Sequence, residues 1–219
     1  MNAVIFDMDG VLIDSYQAHM ESWVQTAREH EIHIDEGKFA SRFGRTSREI
    51  IASYWQGRSL GDSEILAIDD RKEAAFREII RHQVPVMPGA KALIEELKRA
   101  SFLIAIGSSG PPENVELAIN GLEIRNSLSA VVTGRDVRKG KPDPQVFLLA
   151  ADRMSVDPGK CVVVEDAPPG IQAARAAGMK CIALLSTGRK REDFRAYPPD
   201  VFVSELRELN VDVIRDLLK

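Results

Sequence analysis

The sequence predicts an α/β fold in which a parallel sheet is flanked by helices and carries an inserted, all-helical domain. Two patterns favour this class. Short apolar runs, most without polar alternation, are separated by amphipathic segments, as in a sheet that is covered on both faces. One long block, residues 15–83, shows apolar residues at helical spacing and no run that is typical of a strand. Within this block the sequence TSRE, which begins at Thr46, fits a helix capping box.

Six short apolar runs are the predicted strands. They are AVIF (3–6), FLIAIG (102–107), AVVT (130–133), CVVVED (161–166), CIALL (181–185) and VFV (201–203). Since the first run precedes the helical block and the others follow it, we predict a Rossmann-like core and an inserted helical cap. The core comprises residues 1–14 and 84–219, and the cap comprises residues 15–83.

Residues typical of helix ends occur in the segments between the predicted strands. Asp143 and Pro144 suit an N-cap and a first helical position before a helix over 146–154. Pro168 opens an Ala-rich helix that Gly178 would end. Residues 186–200 are polar and predict a flexible surface connection into the last strand.

Composition excludes several functional classes. The 219 residues are 44% hydrophobic and 28% charged, with a net charge of −4, so there is no basic footprint for nucleic acid or an anionic membrane. No apolar stretch approaches the roughly 18 residues that span a bilayer, and the start MNAVIFD lacks the layout of a signal peptide. Cys161 and Cys181 each open or lie in an apolar run, which favours reduced core residues. We expect a cytoplasmic protein, either a monomer or a weak dimer.

Polar side chains cluster where the predicted strands end. They are Asp7, Asp9, Ser108, Ser109, Lys141, Glu165 and Asp166. In a parallel sheet these positions share the carboxyl edge, where ligands bind. The clustered carboxylates would repel one another by several kcal/mol at an effective dielectric of about 20, and a divalent cation would relieve that repulsion. Oxygen ligands without a nearby His or Cys cluster indicate magnesium, and the added lysine and hydroxyl suit a phosphoryl group.

Four motifs in order give the sequence a family resemblance. They are DMDGV from Asp7, the strand-end Ser108, GKPDP with Lys141, and VVVEDAPPGIQAA with Glu165 and Asp166. Together they resemble the haloacid dehalogenase superfamily of phosphotransferases, in particular the β-phosphoglucomutase-like subgroup, in which a helical cap is inserted after the first strand. The resemblance covers essentially the whole chain.

The resemblance implies a role for each motif residue. Asp7 would be the nucleophile, and Asp9 would protonate the leaving oxygen and then act as a base. Ser108 and Lys141 would hold the phosphoryl oxygens. Since dehalogenases and phosphonate hydrolases of this superfamily lack an aspartate at the second position, Asp9 argues against C–Cl or C–P cleavage.

The resemblance also implies a magnesium site. Its ligands would be the Asp7 carboxylate, the Asp9 backbone carbonyl and Asp166. Glu165 would support the metal and its waters.

Substrate selection is expected from the cap. His19, Arg48 and Lys72 match positions that hold the sugar phosphate in the β-phosphoglucomutase subgroup, and we add Ser109 as a fourth candidate substrate contact. Each cap residue has an alternative interpretation. His19 would be an interfacial histidine satisfied by a neighbour, Arg48 a solvated residue in a first helical turn, and Lys72 a surface lysine.

The sequence thus predicts a magnesium-dependent phosphatase acting on small phosphorylated metabolites, foremost sugar phosphates, through an aspartyl phosphate. One alternative is β-phosphoglucomutase-type transfer between glucose 1-phosphate and glucose 6-phosphate. Against it, Pro111 and Pro112 stand where the mutase has a lysine and an asparagine, and they offer no side-chain donor and no N–H. A second alternative is a non-catalytic phosphate-binding regulatory protein.

Overall fold

A computed structural model describes residues 1–39 and 46–219 of the chain. These residues form two compact units. One unit comprises residues 1–14 and 84–219, and the other comprises residues 15–83.

The larger unit is built on a parallel sheet of six strands. The strands are β1 (Ala3–Phe6), β2 (Leu103–Gly107), β3 (Ala130–Val132), β4 (Cys161–Glu165), β5 (Lys180–Leu184) and β6 (Val201–Val203). Their order is β3-β2-β1-β4-β5-β6, and every neighbouring pair is parallel. The predicted α/β class and its strands are therefore confirmed.

Helices make up the regular structure of the described part of the smaller unit. They are α1 (Tyr16–Glu29), α2 (Glu36–Phe39), α3 (Ser47–Tyr54) and α4 (Asp62–Ile80). Trp23, Ile51 and Ile68 belong to a common buried cluster in this unit. Thr46 caps α3 with the predicted box: its hydroxyl accepts from the N–H of Glu49 at 3.3 Å, and its own N–H donates to the Glu49 carboxylate at 2.9 Å.

The larger unit contributes further helices. They are α5 (Ala90–Arg99), α6 (Pro112–Leu122), α7 (Gln145–Arg153), α8 (Pro168–Ala176) and α9 (Val211–Leu217). Helix α8 begins at Pro168 as predicted, and Gly178, with φ +73°, follows its end. Helix α7 begins at Gln145, so Pro144 is its N-cap and not its first helical residue as predicted. The predicted cap, Asp143, accepts the N–H of Gln145 with its Oδ1 at 3.1 Å. None of the helices described has the length and apolar character needed to cross a membrane.

The first strand lies at the centre of the sheet. Ile5 is fully buried and pairs with Ala105 on β2 and with Val163 on β4. This is a switch point, because the chain continues to β2 on one side of β1 and reaches β4 on the other. In open α/β sheets, ligands bind outside the carboxyl ends of the strands at such a point.

Candidate active site

The first strand delivers Asp7 to the carboxyl edge of the sheet. The Asp7 N–H extends the β4 pairing by donating to Val164 O at 3.0 Å, and its side chain is buried. The chain then turns: Gly10 has φ +76° and its N–H donates to Ile13 O at 2.8 Å. A left-handed residue here favours glycine, so the DMDG sequence fits the turn that follows Asp7.

Lys141 reaches two carboxylates at this edge. Its Nζ donates to Asp7 Oδ1 at 2.5 Å and to Glu165 Oε1 at 3.0 Å, and it lies 4.9 Å from the ring centre of Phe147. Burial alone would lower the pKa of Lys141, but the adjacent charges of Asp7 and Glu165 outweigh burial and raise it. Lys141 is therefore a fixed positive charge.

Glu165 joins Lys141 to the start of helix α8. Its Oε2 accepts the N–H of Ala167 at 2.5 Å, while Oε1 accepts from Lys141. A Cβ at Gly170 would lie 2.5 Å from Glu165 Cγ, so the glycine of the PPG sequence provides the space that this carboxylate occupies. Both Glu165 oxygens are thus engaged by protein donors.

Asp7, Glu165 and Asp166 fit a divalent cation. Each offers a carboxylate oxygen, and these oxygens lie within 4.8 Å of one another. Burial raises the pKa of Asp7 to about 7, with the charges of Glu165 and Asp9 adding to it and Lys141 opposing. Burial, with the charges of Glu165 and Asp7, also raises the pKa of Asp166 well above its usual range. If all three buried carboxylates are ionised, their negative charge exceeds the positive charge of Lys141, and oxygen-only donors suit a hard cation that would neutralise it.

Ser108 lies at the end of β2, beside the loop that follows β1. The Ser108 N–H donates to Val132 O at 3.0 Å, and the buried Ser108 Oγ accepts the Gly110 N–H at 3.0 Å. A Cβ added at Gly110 would lie 3.3 Å from Ser108 Oγ and 3.7 Å from Asp9 Oδ2. The serine hydroxyl and the Asp9 carboxylate therefore flank the same glycine. Ser109 is exposed, and its backbone packs against Gly134.

In the smaller unit the structure brings His19 and Lys72 together. Lys72 Nζ lies 2.8 Å from His19 Nδ1 and donates to Glu73 Oε1 at 2.7 Å. The His19 ring stacks on Phe76 with centroids 4.1 Å apart. Lys72 is only 3% exposed, so the interpretation of Lys72 as a surface lysine is wrong. The alternative for His19, a histidine satisfied by a neighbour, agrees with this geometry.

Arg48 has different surroundings. It is exposed and donates to Asp62 Oδ1 at 2.8 Å. This contact joins the first turn of α3 to the first residue of α4, as expected for a solvated arginine in a first helical turn.

Sequence reasoning missed two residues at the site, Ser186 and Thr187. Thr187 Oγ1 donates to Asp166 Oδ2 at 3.0 Å, and Ser186 Oγ donates to Gly10 O at 2.5 Å. The signal that could have found them is their position just beyond β5, because that strand ends at the same edge as the others. The first two residues of the segment 186–200 therefore contact the site and are not only part of a surface connection.

Comparisons with known proteins agree with this architecture. A family model described as haloacid dehalogenase-like hydrolase matches residues 1–178. A phosphorylated carbohydrates phosphatase from Thermotoga maritima is 30% identical, over 83% of this chain and 84% of its own. A beta-phosphoglucomutase from Bacillus subtilis is 30% identical, over 84% of this chain and 83% of its own.

A solved structure agrees in fold. The crystal structure of a family IA, variant 3 HAD hydrolase from Entamoeba histolytica superposes with a TM-score of 0.89, at 24% identity, and covers 100% of this chain and 99% of its own. The family model spans most of the chain, including every residue of the carboxylate and lysine cluster. The chain therefore belongs to the haloacid dehalogenase-like hydrolase family.

Proposed function

We propose that this protein is a magnesium-dependent phosphatase that hydrolyses small phosphorylated metabolites, foremost sugar phosphates, through a phosphoryl ester on Asp7. The observation that carries the proposal is the contact of buried Lys141 with both Asp7 and Glu165, beside Asp166. A fixed cation and a carboxylate cluster at one sheet edge suit phosphoryl transfer, which depends mainly on positioning and charge neutralisation. The carbohydrate phosphatase relative supports sugar phosphates as the substrate class.

In the first step the Asp7 carboxylate attacks phosphorus. A bond forms between Asp7 and phosphorus, the bond from phosphorus to the leaving oxygen breaks, and Asp9 gives that oxygen its proton. The charge of Asp9 is close enough to raise the pKa of Asp7, which supports a shared site for the two carboxyls. Lys141 and Ser108 would hold the phosphoryl oxygens through this step.

In the second step water attacks the phosphorus of the aspartyl phosphate. Asp9, now ionised, accepts a proton from that water, and the bond between phosphorus and the Asp7 oxygen breaks. Inorganic phosphate leaves and the Asp7 carboxylate is regenerated. Using one residue as acid and then as base needs no further titratable group.

Asp7, Asp166 and the backbone carbonyl of Asp9 would hold the magnesium ion. Glu165 would act in support, since both of its oxygens already accept protein hydrogen bonds. When bound, the ion neutralises carboxylate charge and the charge that develops on the phosphoryl group. Oxygen ligands are the basis for proposing magnesium.

We assign substrate selection to residues 15–83 as the cap, with residues 1–14 and 84–219 as the catalytic core. The candidates in the cap are His19, Lys72 and Arg48, with Ser109 in the core. The contact between His19 and Lys72 supports a joint role, because it places an imidazole and an ammonium side by side.

Mutase-type phosphoryl transfer is the second candidate function. It is favoured by the beta-phosphoglucomutase relative, and by the resemblance of His19 and Lys72 to the residues that hold the sugar phosphate in that subgroup. Against it, helix α6 begins at Pro112, immediately after the serine loop, with Pro111 as its N-cap. The next residue is Glu113, whose carboxylate pairs with Arg135 at 2.7 Å. Two prolines and a carboxylate offer poor binding for a second phosphate.

Both cysteines are free and buried, which supports the cytoplasm as the proposed compartment. A monomer or weak dimer is the proposed assembly.

Release of inorganic phosphate from a panel of sugar phosphates, with and without magnesium, tests the proposal. We expect release that depends on the metal, and release in a metal-free sample would contradict the site. A parallel assay measures conversion of β-glucose 1-phosphate to glucose 6-phosphate primed with the bisphosphate. Interconversion faster than phosphate release would favour the mutase.

A further inference from the structure

The loop that follows β5 contacts the acidic site at two points. Thr187 Oγ1 donates to Asp166 Oδ2 at 3.0 Å, and Ser186 Oγ donates to Gly10 O at 2.5 Å. Asp166 follows β4 and Gly10 follows β1, so two adjacent hydroxyls join the loops after two different strands. We call residues 186 and 187 the hydroxyl pair.

The two acceptors of the hydroxyl pair pack directly on each other. A Cβ at Gly10 would lie 2.7 Å from Asp166 Cγ, closer than real side chains approach. Asp166 is 4% exposed. Its carboxylate is therefore confined on one side by the Gly10 backbone, and Thr187 fixes the oxygen on another side. Little freedom remains for the carboxylate to rotate.

Thr187 holds this position in a conformation that is unfavourable for its residue type. Its φ is +55°, in the left-handed region, which β-branched residues rarely adopt. Gly188, the next residue, also has a positive φ of +76°. Strained residues of this kind persist where the surrounding structure fixes them and are concentrated at functional sites. A glycine would relieve the strain, but it would remove the hydroxyl.

The donors to the carboxylates of the cluster differ in charge. Lys141 contacts Asp7 and Glu165, whereas the contact to Asp166 from Thr187 is a neutral hydroxyl. A hydroxyl orients a carboxylate without neutralising it, so the charge of Asp166 remains available to a cation.

We propose that Thr187 is a positioning residue that orients Asp166 toward the divalent cation, with Ser186 holding the Gly10 turn against the same carboxylate. The inference rests on the proposed metal site. Hydrogen bonds to metal-ligating carboxylates fix their orientation, and removing such a partner typically costs 10- to 100-fold in metal affinity or activity.

The test is the dissociation constant of Mn²⁺, measured by titration calorimetry on metal-free protein without substrate. We compare the wild type with Thr187→Val, Thr187→Gly, Thr187→Ser and Asp166→Asn. Valine keeps the branched shape and the strain, whereas glycine relieves the strain, and both lack the hydroxyl. We expect both to raise the dissociation constant by about 10- to 100-fold. Serine keeps the hydroxyl and is expected to bind nearly as the wild type does.

The outcomes separate this inference from the proposed function. If Mn²⁺ binds the wild type and Asp166→Asn prevents binding, while Thr187→Val and Thr187→Gly bind as tightly as the wild type, the role of Thr187 is wrong and the metal site stands. If Asp166→Asn binds Mn²⁺ as the wild type does, the metal site itself is wrong. Melting temperatures of the metal-free variants verify folding. If Thr187→Val does not fold, Thr187→Gly alone provides the test. A positioning role also predicts that saturating magnesium restores much of the kcat of Thr187→Val.

Discussion

Lys141 Nζ and Asp7 Oδ1 are 2.5 Å apart, and both side chains are more than nine-tenths buried. The two residues are separated by more than half the chain. They meet because Asp7 follows β1 and Lys141 lies in the segment after β3, and these parallel strands end at the same edge of the sheet. The same lysine contacts Glu165 at 3.0 Å. Lys141 is therefore both a candidate ligand for the phosphoryl group and the counter-ion of two buried carboxylates.

Lys141→Met should destabilise the metal-free protein by about 3–5 kcal/mol, because removing one partner of a buried ion pair leaves uncompensated charge. Urea unfolding at neutral pH in EDTA measures the effect. Lys139→Met is the matched control. The Lys139 side chain is 77% exposed, and its Nζ lies 3.9 Å from Asp143 Oδ2. The control should change stability by no more than about 1 kcal/mol. Equal effects of the two substitutions would contradict the role of Lys141 as a buried counter-ion.

Asp9→Asn should lower the rate of phosphate release by about 10²- to 10⁴-fold, the usual contribution of a general acid and base. The amide keeps the size of the side chain but cannot protonate the leaving oxygen. Steady-state rates should fall less for substrates with a good leaving group, such as a nitrophenyl phosphate, because these need less protonation. A uniform loss across leaving groups would argue against acid catalysis by Asp9.

Arg48→Ala tests the proposed contact of Arg48 with substrate. Its ion pair with Asp62 is exposed, so the substitution should cost no more than about 1 kcal/mol of stability. If Arg48 binds substrate, kcat/KM for the best sugar phosphate falls, while the melting temperature shifts by no more than about 4 °C, the shift that 1 kcal/mol produces in a chain of this size. Asp62→Asn is the control, because it breaks the same ion pair and keeps the arginine. An unchanged kcat/KM of Arg48→Ala on every substrate would refute the contact.

Asp136 gives a prediction for acid stability outside the site. Its carboxylate accepts from Arg153 at 2.6 Å and from the N–H and hydroxyl of Thr133, each at 2.8 Å, and these bonds lower its pKa to about 2. Since the folded pKa lies below the unfolded value near 4, the stabilisation is complete above that value and is lost as the pH falls from about 4 to about 2.

Because Asp136 is exposed and solvent screens its charge, we expect the stabilisation by Asp136 to be no more than about 1 kcal/mol. Denaturant unfolding at several pH values should show Asp136→Asn less stable than the wild type at neutral pH. The difference should shrink toward pH 2, about the folded pKa. A difference that stays constant over this range would contradict the pKa shift.

Much of the larger unit is predictable from its sequence because buried parallel strands appear as uninterrupted apolar runs. The run CVVVED led to β4 and to Glu165 and Asp166 at its end, as the structure has them. The predicted N-cap of α7, Asp143, is wrong, because Pro144 is the residue directly before the helix, although the Asp143 carboxylate still accepts the Gln145 N–H. The local sequence is compatible with an N-cap at Asp143 or at Pro144.

Contacts made by side chains distant in sequence were not predictable. Lys72 stands in the charged run IDDRKE, which is typical of a surface, yet its ammonium is buried against His19 and Glu73. Its burial depends on how α1 and α4 pack, which no local pattern encodes. The same holds for Thr187, because the role of its hydroxyl depends on the contact with Asp166, which is distant in sequence.

The rate of phosphate release by Asp7→Asn, with magnesium and the best sugar phosphate of the panel, tests the central claim most directly. An amide cannot form the phosphoryl ester, so we predict that release falls to background. The folded state is verified by the melting temperature, and Mn²⁺ binding that is weakened but measurable shows that the rest of the site is intact. Turnover near the wild-type rate in a folded Asp7→Asn variant would contradict the aspartyl phosphate and the account built on it.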